Sequence, residues 1–168
     1  RIYPKPKVFN KKKVNELISF SKNHIFQFNY FLKLNSGFHI NHIRHQIVLF
    51  DIIKHNIFKN KSKIKFGEYA CLDGYLSWNL SMLFKNITAV DINKHNIEKI
   101  KLVNQIFNTS IKPLNSDISN IKTRFNIITL LGCTYMLEKP LTEIKNIILN
   151  QISKDKKGVL YVDFRYWS

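Results

Sequence analysis

From Lys63 onward, short apolar runs alternate with segments whose apolar residues recur at helical spacing. The runs predict five strands, at residues 65–70, 87–91, 111–114, 125–131 and 159–164. Three helices are predicted between them, at residues 75–84, 96–107 and 141–152. Alternation with short links is typical of an α/β fold, so we expect a doubly wound, mainly parallel sheet with helices on both faces.

The first third of the chain has a different character. Residues 1–62 predict a basic helical N-terminal extension, with helices over 11–34 and 40–58, and residues 63–168 predict the core. The whole chain has 27 Lys and Arg residues and 11 Asp and Glu residues, which give a net charge of +16. Residues 1–63 hold 13 of the basic residues and only 2 of the acidic ones. Because the chain opens on Arg1 and stops soon after a strand, we expect it to be a fragment.

A positive field attracts phosphate backbones, so RNA is an expected partner of the N-terminal region. The residues expected to contact it are Lys11, Lys12, Lys13 and Arg44. The alternative is a bias of composition, because the chain is also crowded with Asn, Ile and Phe, as A+T-rich genomes encode. The oligomeric state is left open by the sequence.

Several classes of protein are excluded or disfavoured. No apolar run approaches the roughly 20 residues of a membrane span. Cys71 and Cys133 are the only cysteines, so a disulfide framework is not expected and a reducing, cytoplasmic compartment is the default. The histidines of FHINHIRH lie three apart without a nearby carboxylate other than Asp51, so we expect no metal site.

Acidic residues follow the predicted strands one after another. They are Glu68, Asp73, Asp91, Asp117, Glu138 and Asp163. The carboxyl ends of parallel strands share one edge of a sheet, where ligands bind. A ligand with an amine, a ribose and an adenine suits such a set, whereas the simpler explanation is that short loops favour Asp as a turn and cap residue.

The stretch after the first strand, EYACLDG at residues 68–74, resembles the first motif of the class I S-adenosylmethionine-dependent methyltransferases, an acid followed by three alternating glycines. Glu68 matches the acid and Gly74 the last glycine, while Ala70 and Leu72 replace the other two. Ala70 is a mild replacement if its φ is negative, whereas Leu72 is expected to need a positive φ or to crowd the methionine moiety. CLDGYLS at residues 71–77 is similar to a glycine-poor version found in some members.

Later motifs carry the same resemblance, over about residues 64–164. AVDIN supplies Asp91, which in the family holds the ribose diol, and LNSDIS supplies Asp117, which faces the adenine amino group. LLGCTYMLEKP at residues 130–140 is similar to the fourth motif, with Met136 where that motif has His. This version occurs in tRNA wobble-uridine modification enzymes and small-molecule O-methyltransferases. The chain lacks (D/N)PPY, which disfavours adenine-N6 and cytosine-N4 chemistry.

The resemblance implies strand order 3-2-1-4-5, with the last two strands of the usual sheet missing, and S-adenosylmethionine as cofactor. The implied cofactor-binding residues are Glu68, Ala70, Cys71, Leu72, Gly74, Asp91, Ile92, Asp117, Ile118 and Gly132. Tyr135 and Glu138 are the candidates near the transferred methyl, and Tyr75 is expected to border the methionine end. Cys71, Cys133 and Trp78 are expected in the core. The acceptor, RNA such as tRNA or a small molecule, is left open.

A second hypothesis also follows from the sequence. The net charge, the missing glycines and Met136 are compatible with a catalytically degenerate methyltransferase-fold protein. Such a protein would bind RNA or a ribonucleoprotein as a structural component.

Overall fold

A computed structural model describes residues 40–54, 61–154 and 158–164, together with Lys12, Asn15 and Ser19. The predicted helix over 11–34 lies outside the described residues except at those three helical positions, and so do Lys11 and Lys13. The first described helix, α1 (Ile40–Lys54), confirms the predicted second helix over its described length.

Five parallel strands form a single sheet in the order β3-β2-β1-β4-β5, as predicted. The strands are β1 (Lys65–Tyr69), β2 (Asn86–Asp91), β3 (Lys112–Asn115), β4 (Ile127–Leu130) and β5 (Val159–Val162). The register pairs Tyr69 with Val90 on one side of β1 and with Leu130 on the other. The carboxyl ends of the three central strands therefore lie level with one another, at one edge of the sheet.

Helices connect the strands in the predicted places. They are α2 (Tyr75–Ser81), α3 (Lys94–Phe107) and α4 (Pro140–Asn150). Observed and predicted bounds differ by a few residues, and two of the differences have a clear physical cause. The first strand ends at Tyr69 because Ala70 adopts a left-handed conformation, and β4 begins at Ile127 because Phe125 forms only an isolated bridge, to Ile152.

The core fills the space between the sheet and its helices. Phe66, Leu76 and Ile127 are fully buried on one face, and Val90 and Ile128 are fully buried on the other. Burial of such side chains stabilises the fold by about 1.5 to 3 kcal/mol each. In the helix after β4, Ile148 is 51% exposed, because α4 turns mainly Ile147 toward the sheet.

Helix α1 packs its buried face into the same core through Val48, Leu49 and Ile52. Two polar contacts tie it to the end of the sheet. Arg44 Nε lies 3.1 Å from Asp163 Oδ2, and the Tyr161 hydroxyl donates to Asp51 Oδ2 at 2.5 Å. Among the described helices, none is both long and apolar enough to traverse a lipid bilayer.

Candidate cofactor site

A cavity of about 1090 Å³ opens at the carboxyl edge of the sheet. It lies where parallel α/β sheets bind ligands. All the predicted site residues except Gly74 line it, namely Glu68, Ala70, Cys71, Leu72, Asp91, Ile92, Asp117, Ile118, Gly132, Tyr135 and Glu138. The topology therefore gathers residues that are up to 70 positions apart in sequence, Glu68 to Glu138, around one space.

The loop between β1 and α2, residues 70–74, is here called the first loop. Its φ angles at Ala70, Leu72 and Gly74 are +52°, +55° and +73°. The prediction for Leu72 is confirmed, but the negative φ allowed for Ala70 is not observed. A left-handed conformation costs a residue with a Cβ atom about 1 to 2 kcal/mol, so two of these three positions are strained.

Hydrogen bonds from the neighbouring strand hold the first loop in this shape. The Leu72 backbone N–H donates to Asp91 Oδ2 at 3.0 Å, and the Cys71 N–H donates to the Val90 carbonyl at 3.0 Å. Asp91 also accepts from the Asn93 N–H at 2.8 Å and from Asn96 Nδ2 at 3.1 Å. One buried carboxylate thus organises both the first loop and the start of α3.

Leu72 lies on the wall of the cavity and does not fill it. The loop still folds so that Leu72 is only partly buried. Open space therefore remains in the cavity beside the Leu72 side chain. Crowding of a bound methionine moiety by Leu72 stays a prediction.

Gly74 is the last residue of the first loop and does not line the cavity. A Cβ atom at Gly74 would come within 2.1 Å of Ile100 Cδ1, and its φ is positive, so a glycine is needed for two reasons. Tyr75, expected at the methionine end, is buried, stacks on His45 at 5.7 Å between ring centroids and does not line the cavity. Trp78 is buried in the core, as expected.

Glu68 lies beneath the first loop, at the end of β1, and is 5% exposed. It accepts hydrogen bonds from the Ser77 backbone N–H at 2.9 Å and from the Ser77 hydroxyl at 2.5 Å. Burial raises the pKa of Glu68 to about 8, although both bonds from Ser77 act in the opposite direction. This carboxyl is therefore largely protonated at neutral pH and ionises readily if a cation approaches.

The loop after β3 presents Asp117 to the solvent at the mouth of the cavity. Its Oδ1 accepts from the Ser119 N–H and hydroxyl, both at 2.7 Å, which caps a 3₁₀ turn and holds the pKa of Asp117 below its usual value. Ile118 is half-buried beside it, and Ile92, in the loop after β2, is 71% exposed. Two apolar side chains and one carboxylate thus line this end of the cavity.

The loop after β4, residues 131–139, is here called the fourth loop. The Gly132 N–H donates to Asp163 Oδ1 at 2.5 Å, and Asp163 also pairs with Arg44, so this loop is joined to α1. Tyr135 and Met136 are 45% and 68% exposed, and Glu138 is also exposed on the same wall. This wall is open and holds the two residues predicted to lie near the methyl.

Cys71 and Cys133 are buried, unbridged and on the cavity wall, as expected. Burial raises the pKa of Cys71 well above its usual value and that of Cys133 to about 12. Both therefore remain thiols at neutral pH and are poor nucleophiles. No group of three or more His, Cys, Asp or Glu side chains suited to a metal ion occurs in the described part of the chain.

Sequence reasoning missed three residues of the site. Ser77 and Asn96 position Glu68 and Asp91, and both lie on the first turns of helices that follow those acids. Lys99 is fully buried one turn after Asn96, with Nζ 3.4 Å from Asn96 Oδ1. Burial lowers the pKa of Lys99, and Asp73 and Asp91 act to raise it. The sequence did contain a signal for the burial of Lys99. Ile100 and Val103 define the buried face of α3, and Lys99 lies on that face.

The fold matches a family of solved structures. A S-adenosylmethionine-dependent methyltransferase from Clostridium acetobutylicum matches with a TM-score of 0.57 and 17% identity, over 77% of this chain and 52% of that one. The magnesium protoporphyrin IX methyltransferase of Synechocystis, with bound S-adenosylmethionine, matches with a TM-score of 0.56 and 12% identity. The match covers 88% of this chain and 74% of that one. The [4+2]-cyclase SpnF matches with a TM-score of 0.56 and 12% identity, over 68% of this chain and 43% of that one.

This chain therefore has the fold of the class I S-adenosylmethionine-dependent methyltransferases, as the sequence motifs predicted. It spans about half the length of the first of these structures. No protein-family model matches the sequence, and no curated protein matches it significantly. Identities below one fifth in these three structures establish the fold, and function has to be argued from the site.

Proposed function

We propose that the cavity binds S-adenosylmethionine and that the protein transfers its methyl group to an acceptor, either RNA such as tRNA or a small molecule. One observation carries the proposal. The first loop keeps a positive φ at all three positions where the methyltransferase motif has glycine, although two of them are now Ala70 and Leu72. Strain of this kind persists where surrounding structure enforces it, and it concentrates at ligand sites.

The residues present suit the ribose of the cofactor at Asp91. An ionised carboxylate has about four acceptor positions. Three of them are taken by Leu72 N–H, Asn93 N–H and Asn96 Nδ2. One position is left for a hydroxyl donor, on the Oδ1 side, which accepts only one of the three bonds.

The loops after β2 and β3 suit the adenine ring. Ile92 is an exposed apolar side chain on the cavity wall, and Ile118 lies on the same wall. An aromatic ring between them would remove apolar surface from water, at about 25 cal/mol per Å². Asp117, whose carboxylate is kept ionised by Ser119, is the acceptor for the exocyclic amine.

Glu68 suits the ammonium group of the methionine moiety. A cation next to this buried carboxyl favours the ionised form and would draw its pKa down from about 8. Binding near neutral pH would then release a proton, which calorimetry detects as a dependence of the measured enthalpy on the buffer. An absence of such dependence would remove Glu68 from the contact set and leave the rest of the proposal intact.

The cofactor, once bound, supplies a methyl on a sulfonium, which is displaced in line by the acceptor. The chain aligns the acceptor, since proximity and orientation are the main requirements of such a step. Tyr135 and Glu138 are the proposed contacts, because they lie on the open fourth-loop wall of the cavity. If the acceptor atom must lose a proton, Glu138 is the candidate base.

The binding test uses S-adenosylhomocysteine and the full chain, with Asp91→Ala compared against Glu98→Ala. Glu98 lies away from the cavity and pairs only with Lys101 in the described structure. We expect wild type and Glu98→Ala to bind alike and Asp91→Ala to bind about tenfold or more weakly, as loss of a charged hydrogen bond implies. A folded wild type that gives no binding signal would refute the cofactor site.

Transfer is a separate question, because the cyclase SpnF has this fold and is named for another reaction. Labelled methyl from S-adenosylmethionine should appear in tRNA or in a small-molecule fraction, and Tyr135→Phe with Glu138→Gln should reduce it without changing cofactor affinity. Binding without transfer to any fraction would favour the catalytically degenerate alternative.

A further inference from the structure

The two edges of the sheet carry opposite charges. The cavity at the carboxyl edge is lined by five acidic residues, Glu68, Asp91, Asp117, Glu138 and Glu143, of which Glu68 is largely protonated at neutral pH, against Arg44 and no described lysine. At the amino edge, the described segments that lead into the five strands contain no acidic residue.

An exposed basic residue lies at or shortly before the start of every strand. In the spatial order of the strands they are Lys112 in β3, Lys85 just before β2, Lys65 in β1, Arg124 three residues before β4 and Lys154 five residues before β5. Neighbouring strands lie about 4.8 Å apart, so the starts of the five strands span about 19 Å across the sheet. These residues together are here called the basic edge.

The surrounding structure holds parts of the basic edge in place. Asn126 lies two residues after Arg124, and its Oδ1 accepts from the Lys65 N–H at 2.9 Å. Arg124 donates to the carbonyl of Ile152 at 2.8 Å, at the end of α4. The Asn86 side chain donates to the Ser62 carbonyl at 2.7 Å. This bond holds the turn that carries Lys63, a further exposed lysine, beside the start of β2. The charges therefore stand on strand ends and on anchored turns.

We propose that the basic edge is a second binding surface, which takes the phosphate backbone of a nucleic-acid strand on the side of the sheet opposite the cofactor cavity. Exposed cations along one edge of the sheet suit an extended polyanion, whereas the acidic cavity does not. The surface does not depend on Lys11, Lys12 and Lys13, nor on Arg44, whose charge is paired with Asp163. It also does not depend on whether the cavity binds a cofactor.

The test measures the affinity of the full chain for a fluorescein-labelled oligouridine, with the matching oligothymidine as the second arm. The salt concentration runs from roughly 50 to 200 mM. Three to five phosphate contacts predict a slope of log affinity against log salt between about −2 and −3.5 for a single strand. Equal affinity for both oligomers indicates backbone contacts alone, and a preference for one identifies which nucleic acid supplies the phosphates.

The decisive comparison uses two double variants with the same change of net charge. Lys85→Glu with Lys112→Glu alters the basic edge, and Lys101→Glu with Lys145→Glu alters the exposed surfaces of α3 and α4. We expect the first pair to weaken binding about tenfold or more and to reduce the slope by about 1.4, and the second pair to weaken it less than about threefold. Circular dichroism and the thermal midpoint check that each variant is folded, and Lys→Gln versions replace any that is not.

Three outcomes would overturn the proposal. An equal loss of oligonucleotide affinity in both double variants would mean that net charge alone attracts the nucleic acid. No salt-dependent binding by wild type would remove the surface altogether. Competition by phosphatidylserine vesicles, together with binding to them that exceeds binding to the oligomers, would assign the basic edge to a membrane.

Discussion

Two loops that follow neighbouring strands enter their helices in opposite ways. The second loop, Ile92 and Asn93 between β2 and α3, uses ordinary local chemistry, since Asn93 has φ −80° and its side chain accepts from the His95 N–H at 2.9 Å. The N-cap of α2 is Gly74, which is left-handed and has no side chain to cap the helix, and Asp73 Oδ1 accepts from the Tyr75 N–H at 3.3 Å. The shape of the first loop comes from Asp91 and from the strand beside it.

The difference shows where the molecule tolerates an unfavourable conformation. The second loop would fold in this way from its own sequence, because Asn is a preferred N-cap. The first loop holds Ala70 and Leu72 where glycine is favoured, and so its shape is imposed by tertiary contacts. We infer that the proposed cofactor contacts the first loop and is the reason for keeping that shape.

The largest expected effect concerns Glu68, beneath the first loop. Its pKa is about 8 in the folded chain and 4.5 in the reference state, so the folded chain holds an extra proton between these values. Stability should therefore fall as pH rises from about 5 to 8 and level off above, by up to about 4 kcal/mol. Urea unfolding at a series of pH values measures this. Glu68→Gln should abolish the fall, and an unchanged profile in that variant would assign the pH dependence elsewhere.

Among the described residues, Asp91 is the one carboxylate that accepts hydrogen bonds from both the first and the second loop, so its removal should destabilise the protein. Asp91→Ala leaves the Leu72 and Asn93 N–H groups without their acceptor, and each such loss costs about 1 to 3 kcal/mol. We expect the free energy of unfolding to fall by about 3 kcal/mol. Asp117→Ala is the control, since its exposed cap should cost only about 1 kcal/mol. Similar losses in both variants would contradict the organising role of Asp91.

Gly74 tests whether the entry into α2 needs its conformation. Gly74→Ala places a Cβ atom against Ile100 Cδ1 at a positive φ, so we expect a loss of about 2 to 3 kcal/mol in a denaturant titration. Ile100→Val removes Cδ1, and combining the two changes should recover the part of the loss that comes from the clash. If the double variant loses the full sum of the single changes, the clash is not the cause.

The smallest effects have opposite signs in the two loops. Ala70→Gly should raise the free energy of unfolding by about 0.5 to 1 kcal/mol, because the left-handed strain exceeds the entropy cost of glycine. Asn93→Ala should lower it by about 1 kcal/mol through loss of the cap. Thermal and urea unfolding report both. A destabilised Ala70→Gly would mean that the first loop is relaxed.

Helix positions and the gathering of acids at one edge were predictable from apolar periodicity and strand–helix alternation, whereas the strand order followed from the resemblance to the methyltransferase family. The left-handed φ of Ala70 was not predictable, since alanine favours other conformations and the bonds that hold the next two residues come from Val90 and Asp91, about 20 residues away. The burial of Tyr75 was also missed, because it depends on His45 of α1, a long-range partner. Local patterns predict elements, while the shape of the site depends on contacts between them.

The central claim is that the first loop is held in its strained shape to bind S-adenosylmethionine. Backbone amide spectra of isotope-labelled protein, recorded during a titration with S-adenosylhomocysteine, test it most directly. We predict saturable shifts at Leu72 and Gly74 and at Ile118, and unchanged positions for Lys85 and Lys112 at the basic edge. Saturation without shifts in the first loop, or a folded protein whose spectrum does not change, would contradict the claim.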